Sequence, residues 1–374
     1  MSGNTFFFAG GGTGGHIYPG LAVAEQIIKI QPGAKIHFFC SQRQIDARIL
    51  APTRFPYSIL PARAFSARPD RVTGFCIVFF KSFHIAKKIM AESENPIVVG
   101  IGGFVAAPVC LAGYRLKAPV KLINVDIVPG KANRAAAFFA DEVFVQFEQS
   151  ARYFAKKKVS VVGCPLRAGF ANPEPQKAIA QLGLDAKKNI LLVTGASSGA
   201  ERINQTVCSL LDKLDDFAES WQIVHLTGHG DFENVRTKYA NARITHRVLS
   251  YCDNMADLLG AADLVIGRSG AVSVAEYAAA GSPSICMPYP HHRDMHQYLN
   301  AGWLVDAGAA VIVDDVPDTK DRAEWLWEEL AELMTDDNKR NEMRQACMAI
   351  ANRDAACRIA EKLIEYRAAS GNLA

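Results

Sequence analysis

The run Thr5-Phe6-Phe7-Phe8-Ala9 leads without a break into Gly10-Gly11-Gly12-Thr13-Gly14-Gly15-His16, and a helical pattern begins at Pro19 and continues through Glu25. An apolar strand, a glycine loop and a helix start in that order are the opening of a parallel α/β unit, in which backbone N–H groups at the loop and the helix dipole favour an anion. The loop lacks the Gly-Lys-Ser/Thr ending of a nucleotide triphosphate loop. Nor does it keep a clean dinucleotide spacing with an acidic residue about 20 positions on. A tight turn needing left-handed backbone is the plain alternative. His16 at the mouth of the loop adds a candidate general base, with a helix-capping side chain as its plain counterpart.

Working outward, apolar stretches of strand length recur at Lys35 to Phe39, Ile97 to Ile101, Val120 to Ile123, Glu142 to Val145 and Val159 to Val162. A second series follows at Ile190 to Val193, Ile223 to Leu226, Leu264 to Ile266 and Ser284 to Met287, each series interleaved with helical patterns. Alternation of this kind predicts two doubly wound parallel sheets. The length of 374 residues suits two domains. The two prolines of Ala171-Asn172-Pro173-Glu174-Pro175 suit an exposed linker, which sets the boundary near residue 168. From Asp318 onward the pattern is helical. The expected domains are 1–168, with a C-terminal helix at about 350–374 packing back on it, and 169–349.

Composition excludes several classes. With 49% hydrophobic and 21% charged residues the chain is neither disordered nor fibrous, and a net charge of +3 gives no nucleic-acid signal. The nine cysteines are scattered without Cys-x-x-Cys spacing, no charged start leads into an apolar signal core, and no apolar run reaches eighteen residues. A cytoplasmic protein is expected.

The second half repeats the opening device as Thr194-Gly195-Ala196-Ser197-Ser198-Gly199-Ala200 before a helix carrying Asn204, which predicts a second anion site. Gly267-Arg268-Ser269-Gly270 opens a further helix, with Glu276 about a turn and a half inside. A carboxylate there can accept two hydrogen bonds from a ribose diol, or can simply be an exposed helix acid. His292 and His296 have metal-ligand spacing if helical. Two prolines precede them and no accompanying Glu completes a zinc motif, so no metal is expected.

Five runs in order carry a family resemblance: Gly11-Gly12-Thr13-Gly14-Gly15-His16, Gly102-Gly103-Phe104-Val105, Gly163-Cys164-Pro165-Leu166-Arg167, Arg268-Ser269-Gly270-Ala271, and His296-Gln297 through Asn300-Ala301. Together they resemble the MurG family, which belongs to glycosyltransferase family 28, and the resemblance covers nearly the whole chain. It implies a GT-B fold, two Rossmann-like domains facing a central cleft. It also implies an inverting transfer of N-acetylglucosamine from UDP-GlcNAc to an undecaprenyl-diphosphate-linked muramyl peptide in peptidoglycan synthesis, and so a role in cell-wall biogenesis, cell shape and division. UDP-GlcNAc would be a substrate, with no cofactor. The N-terminal domain would hold the acceptor and the C-terminal domain the donor.

By the same resemblance Thr13, Gly14, Gly15 and His16 would lie beside the diphosphates, with His16 as the catalytic base. Arg167 and Ser197 would contact the donor, the Cys252 backbone would face the uracil, and Gln297 would bind sugar hydroxyls. Ala271, Val272, Ser273, Val274, Ala275 and Glu276 would surround the donor diphosphate and ribose. One segment departs from the family: where it reads His-Glu-Gln-Asn, this chain reads Ile123-Asn124-Val125-Asp126. A carboxylate at Asp126 would repel an acceptor diphosphate, so either Arg134 compensates it or the acceptor differs.

A membrane contact has its own sequence signal. Val72, Phe75, Ile77, Val78, Phe79, Phe80, Phe83 and Ile85 form an apolar set wider than one buried stripe, with Arg63, Arg68, Arg71, Lys81, Lys87 and Lys88 nearby. That combination suits the anionic inner face of the cell membrane, against the alternative of core packing. The rival functions are a GT-B transferase for another lipid acceptor, a UDP-GlcNAc 2-epimerase, and a non-catalytic UDP-sugar-binding scaffold of the cell-wall machinery.

Overall fold

The computed structural model describes residues 4–64, 69–154, 156–195, 199–291 and 294–371, with the side chains of 69–71 and 367–371 left aside. The chain divides into two compact units, Met1–Arg167 with Asp354–Ala374, and Ala168–Arg353.

In the first unit seven parallel strands form one sheet: β1 (Thr5–Ala9), β2 (Lys35–Cys40), β3 (Tyr57–Ile59), β4 (Pro96–Gly100), β5 (Val120–Asn124), β6 (Glu142–Val145) and β7 (Lys158–Val161). Their order is β3-β2-β1-β4-β5-β6-β7, so the chain starts in the middle and winds outward in both directions. Phe6, Phe7, Phe8 and Ala9 are all fully buried, as expected of a central strand covered by helices on both faces. The reversal of winding between β1 and β4 creates the crevice in which open α/β sheets bind ligands, at the carboxyl ends of the strands. The glycine loop after β1 and the Gly102-Gly103 loop after β4 both lie there.

The second unit repeats the plan with β8 (Asn189–Thr194), β9 (Trp221–Leu226), β10 (Thr245–Leu249), β11 (Leu264–Gly267), β12 (Ser284–Cys286) and β13 (Ala310–Ile312), in the order β10-β9-β8-β11-β12-β13. Its own core gathers Leu191, Ile223, Leu264 and Ile285 from the strands with Leu326, Leu330 and Leu333 from a helix. The final helix, Ala355–Gly371, packs on helix Tyr18–Ile30 of the first unit. The Pro173–Pro175 segment is more tightly held than a free linker. Pro175 opens helix Pro175–Leu182, and the Glu174 amide donates to Asp257 Oδ1 at 2.6 Å.

Candidate functional site

In the first unit the glycine loop turns into a short 3₁₀ segment, Gly14–His16, which delivers the His16 ring to the crevice. Its Nδ1 lies 3.3 Å from the Gly11 carbonyl and 3.3 Å from Thr13 Oγ1. A carbonyl can only accept, so Nδ1 carries the proton and Nε2 keeps its lone pair. Burial lowers the His16 pKa, with Arg43 adding to that effect. The charges of Asp126 and Asp46 and the bond to Gly11 pull the other way. The imidazole therefore stays neutral further into the acid range than a free histidine, as a base acting near neutrality requires.

The loop itself is gripped from below. Asp46, fully buried on helix Gln44–Leu50, accepts from the Gly12 amide and from both the amide and the hydroxyl of Ser41. Arg43 Nη1 donates to the Gly12 carbonyl at 2.8 Å, and its guanidinium lies over the Phe104 ring. On the facing side Gly103 adopts φ +70°, where a Cβ would stand 2.2 Å from the Gly11 carbonyl oxygen. A Cβ on Gly102, at φ +145°, would press on the His16 ring. Only glycine permits that approach of the two loops.

Asp126 follows β5 at the same crevice. Its carbonyl accepts from Asn124 Nδ2 and Ser150 Oγ, and its carboxylate acts on His16. Arg134 donates to the Pro129 carbonyl and lies over the Tyr153 ring. Asn133 Nδ2 donates to Asn124 Oδ1, while its Oδ1 is buried with no hydrogen-bond partner among the described residues and lies 3.4 Å from where a Gly102 Cβ would be. The structure thus gathers Thr13, His16 and Asp126 in one place, and adds Arg43, Asp46 and Asn133. Nothing in the local sequence marks Asp46. Asn133 likewise stands in no motif of the sequence, ten residues beyond the strand whose Ile123 carbonyl it meets.

Arg167 also falls in the first unit, its guanidinium 4.5 Å over the Tyr18 ring just beyond His16. The other donor candidates are in the second unit. Ala271 to Glu276 are the first turns of helix Ala271–Ala280, entered through Gly270 in extended conformation. Glu276 is half-buried one and a half turns in. Cys252 lies in the loop after β10, before helix Met255–Ala261, which packs on helix Ala271–Ala280. Gln297 Oε1 accepts from the Tyr289 amide at 2.9 Å, leaving the two Nε2 hydrogens to donate. Arg268 Nη1 holds the Met287 and Pro288 carbonyls, and Asn300 Nδ2 donates to the Ser269 carbonyl at 3.4 Å. The loops after β11 and β12 and helix His296–Asp306 are therefore one assembly.

Ser197 lies outside the described residues, as does His292. His296 is the first residue of its helix, after Met295 at φ +48°, and its Nδ1 is 2.7 Å from Asp294 Oδ1. The helical His-x-x-x-His reading would need a helix already running before Met295. Among the described residues no three His, Cys, Asp or Glu side chains come together as metal ligands.

The glycosyltransferase family 28 N-terminal domain matches residues 6–145 and the family's C-terminal domain matches residues 190–359. The chain is 32% identical, over 95% of its own length and 97% of the relative's, to a UDP-N-acetylglucosamine–N-acetylmuramyl-(pentapeptide) pyrophosphoryl-undecaprenol N-acetylglucosamine transferase of Geobacter metallireducens. The protein of the same name from Geobacter sulfurreducens is 33% identical over the same shares. Among solved structures, MurG of Acinetobacter baumannii superposes with a TM-score of 0.71 at 26% identity, covering 97% of this chain and 99% of that one.

Proposed function

The chain belongs to glycosyltransferase family 28, and from that premise we propose that it transfers N-acetylglucosamine from UDP-GlcNAc to an undecaprenyl-diphosphate-linked muramyl peptide, a step of peptidoglycan precursor synthesis. The observation that carries this reading is full-length similarity above 30% identity to relatives with that printed activity. The fold is GT-B.

The first unit would take the acceptor. His16 Nε2 accepts the proton of the acceptor hydroxyl as its oxygen attacks the anomeric carbon from the face opposite UDP. The bond to UDP breaks, UDP leaves as an anion, and the configuration inverts. Thr13, Gly14 and Gly15, with the start of helix Gly103–Arg115, offer N–H groups to the acceptor diphosphate. Asp126 keeps His16 basic enough to take that proton, which gives the departing residue a use.

The second unit would take the donor. The start of helix Ala271–Ala280 faces the UDP diphosphate and stabilises charge as it develops on the leaving group. Glu276 accepts from the ribose hydroxyls, the Cys252 backbone reads the uracil, and Gln297 donates to the sugar. Arg167 and Ser197 complete the donor contacts.

Placement on the inner face of the membrane is supported by helix Pro69–Ala91. Ser82, Ala86 and Met90 are its fully buried stripe, whereas Ile77 is 67% and Phe80 54% exposed. Lys81 and Lys88 are exposed close by, which suits anionic lipid. No helix among the described residues is long and apolar enough to cross a membrane. Cell shape and division follow from a part in wall synthesis.

The deciding experiment mixes the protein with UDP-GlcNAc, with and without the lipid-linked muramyl peptide in vesicles. UDP should be released only when both substrates are present. Epimerised UDP-sugar without acceptor would point to the 2-epimerase, and binding without turnover to the scaffold.

A further inference from the structure

β8 and β11 lie side by side in the second sheet, with Thr194 opposite Gly267. The loops that leave them therefore start from adjacent strand ends. One runs through Gly199-Ala200 into helix Glu201–Ser209, the other through Arg268-Ser269-Gly270 into helix Ala271–Ala280. Each helix start presents backbone N–H groups without intrahelical partners, and each attracts an anion. In the second loop the Ser269 hydroxyl oxygen is buried and has no hydrogen-bond partner among the described residues. Leaving a buried hydroxyl unmet is costly, so it marks a place where a group from outside the chain is expected.

Beneath these two starts sits Asp315, beyond β13, with its carboxylate wholly inaccessible. Its Oδ2 is 2.7 Å from Arg268 Nη2 in the second loop. That contact is held by charge, without an aligned hydrogen bond. Its Oδ1 is 3.4 Å from Nη1 of Arg202, in the first turn of helix Glu201–Ser209, and 3.8 Å from Arg322 Nη1. Arg322 returns to the same helix through a 2.6 Å bond from Nε to Thr206 Oγ1, and Arg202 also donates to the Asp315 carbonyl. One buried carboxylate thus joins both helix starts through Arg202 and Arg268. Without it, three like charges would be left close together in a poorly solvated place, and their repulsion would push the two starts apart.

We propose that Asp315 is a positioning residue of the donor site, fixing the two helix starts at the separation at which both address one nucleoside diphosphate. The proposal rests on the reading of the second unit as the UDP-sugar domain. The guanidinium groups gathered around Asp315 add a positive field that favours the diphosphate over the uncharged parts of the ligand.

The test compares UDP and UMP binding by calorimetry in the wild type and Asp315→Asn, with the donor KM measured alongside. Loss of positioning should weaken UDP roughly tenfold or more and raise the donor KM, while UMP, which has no second phosphate for the two starts to share, changes about twofold at most. Arg268→Lys keeps the charge but loses the planar fork, and should give the same selective loss, which serves where the Asn variant fails to fold. Equal weakening of UDP and UMP, or UDP binding unchanged, would overturn the proposal and leave the donor-domain reading standing. A wild type that binds no UDP would remove that reading, and this proposal with it.

Discussion

Asp46 grips the Gly12 amide with both carboxylate oxygens, at 2.8 and 3.0 Å, across 34 residues of chain. The same carboxylate takes the Ser41 amide and hydroxyl at 2.8 and 2.6 Å, so the end of β2 and the glycine loop after β1 share one fully buried anchor. The loop that carries His16 is therefore held by a side chain that is itself fully buried.

Removing that anchor leaves buried amides without an acceptor. Asp46→Ala should cost about 3–5 kcal/mol of stability, read as a lower denaturant midpoint, because charged hydrogen bonds are lost and nothing replaces them. Asp46→Asn retains one acceptor oxygen and should fall between wild type and the alanine variant. A midpoint unchanged in both would show that the loop holds its shape without Asp46.

His225 gives the second unit a distinctive acid response. Tyr239 donates to its Nδ1, and its Nε2 donates to Asn204 Oδ1, since the Asn204 amide nitrogen is already spent on Thr227 and Asp231. Burial pushes its pKa down to about 3, with Asp231 opposing. The unfolded chain takes up this proton near pH 6.5 and the folded one only near pH 3. The stability the neutral ring contributes is complete above pH 6.5 and is lost as the pH falls through that window. Between pH 7 and pH 5 the loss from this group is about 2 kcal/mol. His225→Gln should be weaker at pH 7 and lack that part of the slope, which denaturant melts at both pH values would read. Parallel slopes would show that another group titrates.

The strands read from apolar runs are those of the sheet interiors together with the edge strand β7. The three that the pattern did not mark, β3, β10 and β13, are edge strands. Two of them are three residues long, and β10 opens with Thr245-His246-Arg247, where half-buried positions leave no apolar run to see. The site was legible in the same partial way. His16, Asp126 and the helix at Ala271 stand in motifs that are local in sequence. Asp46 and Arg43 reach Gly12 and Asp315 reaches Arg202 across 31 to 113 residues of chain, and their surroundings in the chain look like ordinary charged surface. Such contacts come from the way the sheets wind, which spacing alone does not encode.

For the donor, Glu276→Ala should raise the KM for UDP-GlcNAc by roughly tenfold while kcat changes less, since two charge-assisted bonds to ribose hydroxyls would serve ground state and transition state alike. A donor KM equal to wild type would take Glu276 out of the site.

At the membrane, Ile77→Ser with Phe80→Ser should reduce binding to vesicles rich in anionic lipid by roughly tenfold, because both side chains are more than half exposed and lose apolar area available to the bilayer. The thermal midpoint should hold, since Ser82, Ala86 and Met90 anchor the helix. A drop in the midpoint with vesicle binding intact would mean that these side chains serve packing instead.

Asp126 offers the sharpest test of how this chain departs from its family, because its charge acts on the candidate base. In the folded protein burial lowers the His16 pKa and Asp126 raises it, so Asp126→Asn leaves burial less opposed and lowers it further. With Nε2 as the base, the acid limb of the kcat/KM profile reports the protonation of His16 and should move to lower pH in the variant. Above both limbs the less basic imidazole takes the acceptor proton less readily, so the plateau should fall modestly. Removing a negative charge from beside the acceptor diphosphate should at the same time lower the acceptor KM. His16→Ala supplies the reference, with kcat down by roughly 10²-fold or more and UDP-GlcNAc affinity unchanged. If Asp126→Asn instead abolishes turnover as completely as His16→Ala and leaves no acid limb to shift, the carboxylate is itself the proton acceptor. His16 would then be its partner, and the assignment of the two residues would be exchanged.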